Sequence, residues 1–245
     1  MGGLLHTVLY QPLYNLLIAL YDLIPGHDMG VAIIALTIAV KLVLWPLNHS
    51  SLVSQKALQE LQPKIDALKA QFGDDKEGYG KAVMQLYQSE KVNPLSSCLP
   101  VLIQLPVLIA LYSVLRSGLT TAGLSSLYPF TPNPGSINET FLGFLNLTAK
   151  NLPLALVAGL ATFAQTKMLM AKRVPKPVPE GAKDEDMLAA MNKSMQYTMP
   201  IMTAVIGAGL PAGLLLYWIT NNLASIVQQA IAFRKKKPAG VEVVG

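Results

Sequence analysis

Long apolar stretches separated by polar segments dominate this sequence. Five such stretches approach the length of a membrane span, over residues 29–47, 95–115, 152–171, 195–210 and 213–233. A helix needs about 20 predominantly apolar residues to cross the hydrocarbon core of a bilayer. The fourth stretch is short and joins the fifth through GAGLPAG, which is too tight to hold an external domain. The pattern predicts an all-α polytopic membrane protein with five transmembrane helices. Four prolines are expected to bend or end these helices, namely Pro46, Pro100, Pro106 and Pro200.

The apolar run over residues 4–24 is long enough to span a membrane, but it carries a polar stripe. Thr7, Gln11 and Asn15 recur every four residues and therefore share one helical face. A single polar face on a short apolar helix is typical of a helix that lies in the membrane interface. We therefore expect residues 1–28 to form an amphipathic interfacial helix in preference to a sixth span.

Residues 51–93 follow a different periodicity, because their apolar positions alternate spacings of three and four. The series is Leu58, Leu61, Ile65, Leu68 and Phe72, and after GDDKEG it resumes with Tyr79, Val83 and Leu86. Such a narrow seam is typical of helices that pack as a coiled coil. The segment is predicted to form a helical hairpin. It is either a self-packed pair of solvated helices or a docking arm for partners, and the sequence favours neither.

The distribution of Lys and Arg orients the helices. Only 13% of the residues are charged, against about 25% in typical soluble domains. Basic residues gather in 51–93, in 172–194 and in the tail, whereas the first 28 residues contain none and 118–150 contains only Lys150. Cytoplasmic loops of membrane proteins carry the excess of Lys and Arg. The N-terminus is therefore predicted outside and the C-terminus in the cytoplasm.

The resulting organisation alternates between the membrane and its two faces. In chain order it comprises an external interfacial helix (1–28), a first transmembrane helix (29–50), a cytoplasmic hairpin (51–93), a second transmembrane helix (94–117), an external loop (118–150), a third transmembrane helix (151–171), a cytoplasmic loop (172–194), the fourth and fifth transmembrane helices (195–233) and a basic cytoplasmic tail (234–245). No basic region precedes the first apolar run, so no cleavable signal is expected.

Lys41 places a positive charge within the first apolar stretch. An ammonium in hydrocarbon costs roughly 3 kcal/mol, which makes such a residue a candidate for function. Lys41 lies six residues before Leu47, about 9 Å along a helix, so it can alternatively snorkel to the cytoplasmic headgroups. The five stretches contain no Asp, Glu or His to pair with it. Amides in membranes usually bond between helices, and that is the default interpretation of Gln104, Gln165, Asn221, Asn222, Gln228 and Gln229.

The sequence lacks the residue patterns that most enzymes and cofactor-binding proteins need. Cys98 is alone, which excludes an intrachain disulfide and a cysteine-based metal site. His6, His27 and His49 are scattered, and GDDKEGYGK departs from the phosphate-binding loop at Tyr79, where that loop requires Lys. We therefore expect no catalytic residue, no metal, no cofactor and no nucleic-acid site.

Three longer segments carry a family resemblance. They are LQPKIDALKAQFGDD after the first apolar stretch, EKVNPLSSCLPVLIQLPVLIALY over 90–112 and GLPAGLLLYWITNNLASIVQQ over 209–229. Together they strongly resemble the YidC/Oxa/Alb membrane-protein insertase family, in order and over nearly the whole chain. The resemblance implies a five-helix core around a hydrophilic groove that opens to the cytoplasm and to lipid but is closed to the outside. It also implies an outer interfacial helix and a cytoplasmic hairpin.

The resemblance also assigns groove residues. The family carries a positive residue, typically Arg, in the first core helix, and Lys41 occupies the matching position. This departure keeps the charge but loses the planar fork that binds carboxylates through two bonds. By position within the matching motifs, Gln165 and Trp218 resemble groove-lining residues, and Gln104 matches the family motif. The predicted client-binding residues are therefore Lys41, Gln104, Gln165 and Trp218.

The implied function is that of an insertase and chaperone for integral membrane proteins, which is not an enzyme. Expected partners are nascent clients with acidic external segments, membrane lipids and, from the resemblance, the Sec translocon, the ribosome and the signal-recognition pathway. We expect a short bacterial YidC-type member without a large periplasmic domain, multi-pass in the plasma (inner) membrane. The chief alternative is a small-solute or ion channel or transporter, although no internal repeat supports it. The second alternative is a structural membrane scaffold, which would tolerate Lys41→Leu.

Overall fold

The structure, a computed structural model, describes residues 3, 6–73, 75–93, 99–118, 123–170 and 185–234, and these are mostly helical. The helices are α1 (Gln11–Leu23), α2 (Met29–Val43), α3 (Trp45–Phe72), α4 (Lys76–Ser89), α5 (Leu99–Ser113), α6 (Leu152–Met170), α7 (Glu185–Gly207) and α8 (Ala212–Arg234). Shorter elements are π-helical turns at His6–Tyr10 and Val114–Gly118, a 3₁₀ helix at Gly123–Ser126, and the antiparallel strands β1 (Thr140–Phe141) and β2 (Leu145–Asn146). The prediction of an all-α fold is confirmed. Cys98, much of the predicted loop at 172–194 and nearly all of the basic tail lie outside the described residues.

The first predicted transmembrane helix ends earlier in the structure than the sequence predicted. The prediction began the hairpin at residue 51, whereas α2 ends at Val43 and α3 begins at Trp45, with a bend of 67° between them. Pro46 explains the position, because the first turn of a helix does not need the N–H that Pro lacks. Pro106 and Pro200 behave differently, since α5 and α7 continue through them.

Helices α3 and α4 form a hairpin whose turn falls within GDDKEG. There the Asp75 carboxylate caps α4 by accepting a hydrogen bond from the Gly78 N–H at 3.0 Å. Leu61 and Ile65 of the seam are buried, and the other seam residues are partly buried. Leu52, near the start of α3, is also buried, and α3 contacts α5 and α8. Helix α3 of the hairpin therefore also packs against α5 and α8.

The larger hydrophobic core lies where α1 packs against α2 and α5. Tyr14, Leu17 and Ile18 of α1 and Met29 and Ile33 of α2 are completely buried. Side chains packed this closely stabilise the helix contacts through many small van der Waals attractions. A second, smaller cluster joins α6 to α8. Helix α1 is thus firmly attached to the helices that follow it.

The polar stripe of α1 binds the loop that follows α5. Asn15 is buried, its Nδ2 donates to the Ser126 backbone oxygen at 3.1 Å and its Oδ1 accepts from the Tyr128 N–H at 2.6 Å. Gln11 Nε2 donates to the same Ser126 oxygen at 3.3 Å. Covered backbone groups of a loop need such partners. Gln11 and Asn15 of the stripe therefore hold the loop, a role that the periodicity does not reveal. The interfacial position of α1 stays a prediction.

Segments that were predicted to be external meet at one end of the helices. The Leu142 N–H donates to the Asp28 carboxylate at 2.6 Å, just before α2 begins. The Gly213 N–H donates to the Leu147 backbone oxygen at 2.8 Å, at the start of α8. The loop before α6 thus connects the first turns of α2 and α8, so these two helices begin at the same end.

Among the described residues, one helical segment is long and apolar enough to cross a membrane by itself, Leu152–Leu169 of α6. The bent pair α2 and α3 passes the same test as a broken span, and Gln104–Arg116 is a shorter apolar helix. Helix α8 is continuous, but the amide pairs at 221–222 and 228–229 interrupt its apolar sequence and lower its mean hydropathy. The arrangement of five spans therefore stays a prediction.

Candidate functional site

Lys41 lies on the last turn of α2, one turn after the buried Thr37, and contacts α8. Its Nζ donates a hydrogen bond to Ser225 Oγ at 2.8 Å. The Ser225 hydroxyl donates in turn to the Asn221 backbone oxygen at 2.8 Å, which leaves its lone pairs for the ammonium. The Lys41 side chain is half-buried. The ammonium is thus directed across the bundle toward α8.

Lys41 has no carboxylate partner in the part of the chain that the structure describes. The described ion pairs all lie in the hairpin of α3 and α4: Lys56–Glu60, Lys64–Glu90 and Lys81–Glu77. A hydroxyl supplies a dipole but no net charge. The positive charge of Lys41 is therefore not neutralised by Ser225 and can attract an anion.

Gln104 also contacts α8, two turns before the Ser225 that binds Lys41. Its Nε2 donates to Tyr217 Oη, and Tyr217 is buried. Tyr217, Asn221 and Ser225 recur every four residues and share one side of α8, which we call the polar face of α8. Eight residues of helix separate Tyr217 from Ser225 by about 12 Å. The structure thus aligns Lys41 and Gln104 along the polar face of α8.

A second set of polar contacts joins α8 to other helices. Asn222 Nδ2 donates to Thr162 Oγ1 of α6 at 2.9 Å, and both side chains are buried. Gln228 Nε2 donates to the Trp45 backbone oxygen at the start of α3, at 3.4 Å. An interhelical hydrogen bond of this kind contributes about 0.6 kcal/mol in a membrane. Asn222 and Gln228 therefore behave as amides that bond between helices.

Gln165 and Trp218 lie near the contact between α6 and α8. Gln165 follows Thr162 by three residues and Trp218 precedes Asn222 by four, so each is one turn from the bond between those two side chains. Both are half-buried. Within the described residues no hydrogen bond joins either of them to Lys41. Their role beside Lys41 stays a prediction.

The sequence did not predict three of these partners, namely Ser225, Tyr217 and Thr162, because only charged and amide side chains within the apolar stretches were considered as candidates. Hydroxyl side chains are common in such helices, where they often bond the carbonyl one turn back, as Thr162 does with Ala158. A useful signal was available, because the polar positions 217, 221 and 225 repeat every four residues. That spacing marks a continuous polar face on an otherwise apolar helix.

The site combines one positive charge with hydroxyl and amide groups. In the described ranges, no group of three or more His, Cys, Asp or Glu residues could hold a metal ion. Such an arrangement can attract a carboxylate and form hydrogen bonds with a polar segment. Fold and site thus define an all-α protein with a polar, positively charged site between apolar helices.

The comparison with known proteins then identifies the family. The model of the 60Kd inner membrane protein family matches residues 19–239, and the chain belongs to this family. Its place is therefore the bacterial inner membrane. The resemblance found in the sequence is confirmed.

Several curated relatives carry the name membrane protein insertase YidC. The protein from Anaeromyxobacter dehalogenans (strain 2CP-C) is 40% identical over 223 residues, covering 89% of this chain and 35% of the relative. The one from Methylobacillus flagellatus is 35% identical over 240 residues, 98% of this chain and 38% of the relative. The chain thus spans about a third of the length of these relatives. The one from Fusobacterium nucleatum is 35% identical over 208 residues, 85% of this chain and 87% of the relative.

Proposed function

We propose that this chain inserts integral membrane proteins and helps them to fold, as an insertase and chaperone without enzymatic activity. The names of its relatives support this class of function. The observation that carries the proposal is the bond from Lys41 to Ser225, because it holds a positive charge beside a neutral partner. That charge remains able to attract an acidic segment of a client.

A client carboxylate would replace Ser225 as the partner of Lys41. A hydrogen bond to a charged group contributes about 1.5–3 kcal/mol. Two unit charges 4 Å apart attract by about 4 kcal/mol at an effective dielectric constant of 20. The exchange thus favours the carboxylate by a small margin, which screening at this half-buried site reduces further. A client is attracted under these conditions without being trapped.

The client's apolar helix then leaves sideways into lipid. Helices α6 and α7 support this route, because they expose apolar side chains, including Leu152, Leu156, Leu160, Ile201 and Val205. Hydrophobic burial in lipid supplies the driving force. No nucleotide is required for such a passive route. Tight packing of α1 against α2 and α5 supports a groove that is closed to the outside.

The full proposal has five transmembrane helices, with the N-terminus outside and the C-terminus in the cytoplasm. Gln104, Gln165 and Trp218 line the groove together with Lys41. The hairpin of α3 and α4 lies in the cytoplasm, where the ribosome, the signal-recognition pathway and the Sec translocon are its proposed partners. The distribution of Lys and Arg supports this orientation.

A series of clients that differ only in outer-segment charge tests the function. The protein is reconstituted in liposomes, and insertion of each client is measured by protection from protease. Lys41→Arg should insert every client as the unaltered protein does. Lys41→Leu should slow insertion of acidic clients and spare uncharged ones, because only the former need the positive charge.

Lys167 provides a matched control. It lies in the last turn of α6, is exposed, and has its Nζ 6.0 Å from the centroid of the Phe163 ring. Lys167→Leu removes the same charge outside the candidate site and should leave the dependence on client charge unchanged. Equal insertion of all clients by Lys41→Leu would contradict the proposal and mean that Lys41 merely snorkels.

A further inference from the structure

The turn between β1 and β2 exposes large apolar side chains at the end of the molecule where α2 and α8 begin. Leu142 is 61% exposed and Phe144 is 79% exposed. Phe141 points the other way and covers Gly30, since a Cβ added at that glycine would lie 2.2 Å from the Phe141 ring. The Phe141 ring thus packs the turn against α2, while the side chains of Leu142 and Phe144 remain exposed.

The backbone of this turn makes the exposed leucine unusual. Leu142 has a φ of +52° and is followed by Gly143 with a φ of +78°. Turns of this kind favour Asn, Asp or Gly at both positions, because other side chains are strained at positive φ. The segment 140–146 also carries no charged residue. An uncharged, strained and exposed leucine beside an exposed Phe144 is poorly suited to water.

Three hydrogen bonds fix the depth of the turn relative to the first residues of α2 and α8. The Asp28 carboxylate accepts from the Leu142 N–H at 2.6 Å and from the Val31 N–H at 3.0 Å, where it caps α2. After β2, the Leu147 backbone oxygen accepts from the Gly213 N–H at the start of α8. The turn therefore lies level with the first residues of two apolar helices. In the proposed topology, that level is the boundary between outer headgroups and acyl chains.

We propose that Leu142 and Phe144 insert into the outer leaflet and anchor the β1–β2 turn in the membrane. The inference rests on the topology given under Proposed function. Lipid is the occupant because the turn is level with the ends of the spanning helices and has no charge with which to select a polar partner. The anchor would hold the first turns of α2 and α8 at constant depth through Asp28 and Leu147.

Single cysteines test the anchor. Leu142→Cys and Phe144→Cys are made separately in a Cys98→Ala background and labelled with a nitrobenzoxadiazole fluorophore. The full chain is reconstituted in vesicles of phosphatidylethanolamine and phosphatidylglycerol. Ser136→Cys, an exposed polar position of the same loop, is the matched control. Dithionite added outside should bleach the labels at 142 and 144 at least about threefold more slowly than the label at 136. Lipids that carry nitroxide groups should quench the labels at 142 and 144 more strongly.

Each other outcome overturns the anchor in a recognisable way. Bleaching of the labels at 142 and 144 as fast as at 136 means that the turn lies in water, while the proposed function stands. Shielding in native membranes but not in pure lipid vesicles means that a protein partner covers the turn. In right-side-out native vesicles, a label at 136 that dithionite added outside does not reach would reverse the topology and contradict the proposed function as well.

Discussion

Replacing Ser225 by Asp would give Lys41 a permanent partner of opposite charge. The Ser225 Oγ lies 2.8 Å from Lys41 Nζ, and an aspartate side chain is only one bond longer, so its carboxylate reaches the ammonium without movement of either helix. Ser225→Asp also removes the hydroxyl donor to Asn221. That loss is minor, because the acceptor oxygen belongs to the backbone of the same helix.

The size of the expected effect follows from the charge pair. At about 4 Å and an effective dielectric constant of 20, the attraction is roughly 4 kcal/mol. Water around the half-buried Lys41 screens the two charges and lowers their attraction to about 1–3 kcal/mol. Since about 1.4 kcal/mol corresponds to a factor of ten, occupation of Lys41 by acidic clients should fall at least about fivefold.

Initial rates of insertion into liposomes measure this effect. Ser225→Asp should slow an acidic client and leave an uncharged client unaffected, the same result that is expected for Lys41→Leu. Ser225→Asn is the matched control, because it has nearly the shape of Asp but no charge, and it should keep the preference for acidic clients. Two results would refute the reasoning. In one, Ser225→Asp inserts acidic clients at the normal rate; in the other, Ser225→Asn is as defective as Ser225→Asp.

Three further predictions concern the rest of the fold. Leu61→Asp should unfold the hairpin but leave the membrane helices assembled, because it buries a carboxylate in the seam. The purified variant should still insert a small client in liposomes while failing in cells, and failure in liposomes would make the hairpin part of the insertion machinery. Asn222→Leu should lower the free energy of unfolding by only about 0.6 kcal/mol, measured by denaturant titration in detergent, and a loss of several kcal/mol would contradict a simple interhelical bond with Thr162. Protease added to right-side-out vesicles should not cleave within residues 74–78, and cleavage there would reverse the topology.

Patterns that depend on local periodicity predicted the elements of the fold well. The seam through Leu61 and Ile65 lies on a helix, and the turn of the hairpin falls at GDDKEG. The boundary between α2 and α3 was misplaced because the apolar stretch continues beyond Val43. Hydropathy does not register the bend, whereas Pro46 in the first turn of α3 does.

Long-range partners were harder to predict, because they depend on how helices face each other. Lys41 was recognised as a candidate from its charge alone. Its partner Ser225 lies 184 positions later in the chain, and a single hydroxyl in an apolar helix carries little signal. Asn15 shows the same limit, since its position in a polar stripe does not indicate that it binds the backbone at Ser126 and Tyr128.

The central claim is that Lys41 lies in a groove that water enters from the cytoplasm. A cysteine at position 41, in a Cys98→Ala background, tests it most directly when vesicles of each orientation are treated with a membrane-impermeant thiol reagent. Ile38→Cys is the control, because Ile38 is exposed on α2 and is expected to face lipid. The account predicts that the cysteine at 41 reacts from the cytoplasmic side only, while the cysteine at 38 reacts from neither. Reaction at 41 from the outside, or equal inertness at 41 and 38, would contradict it.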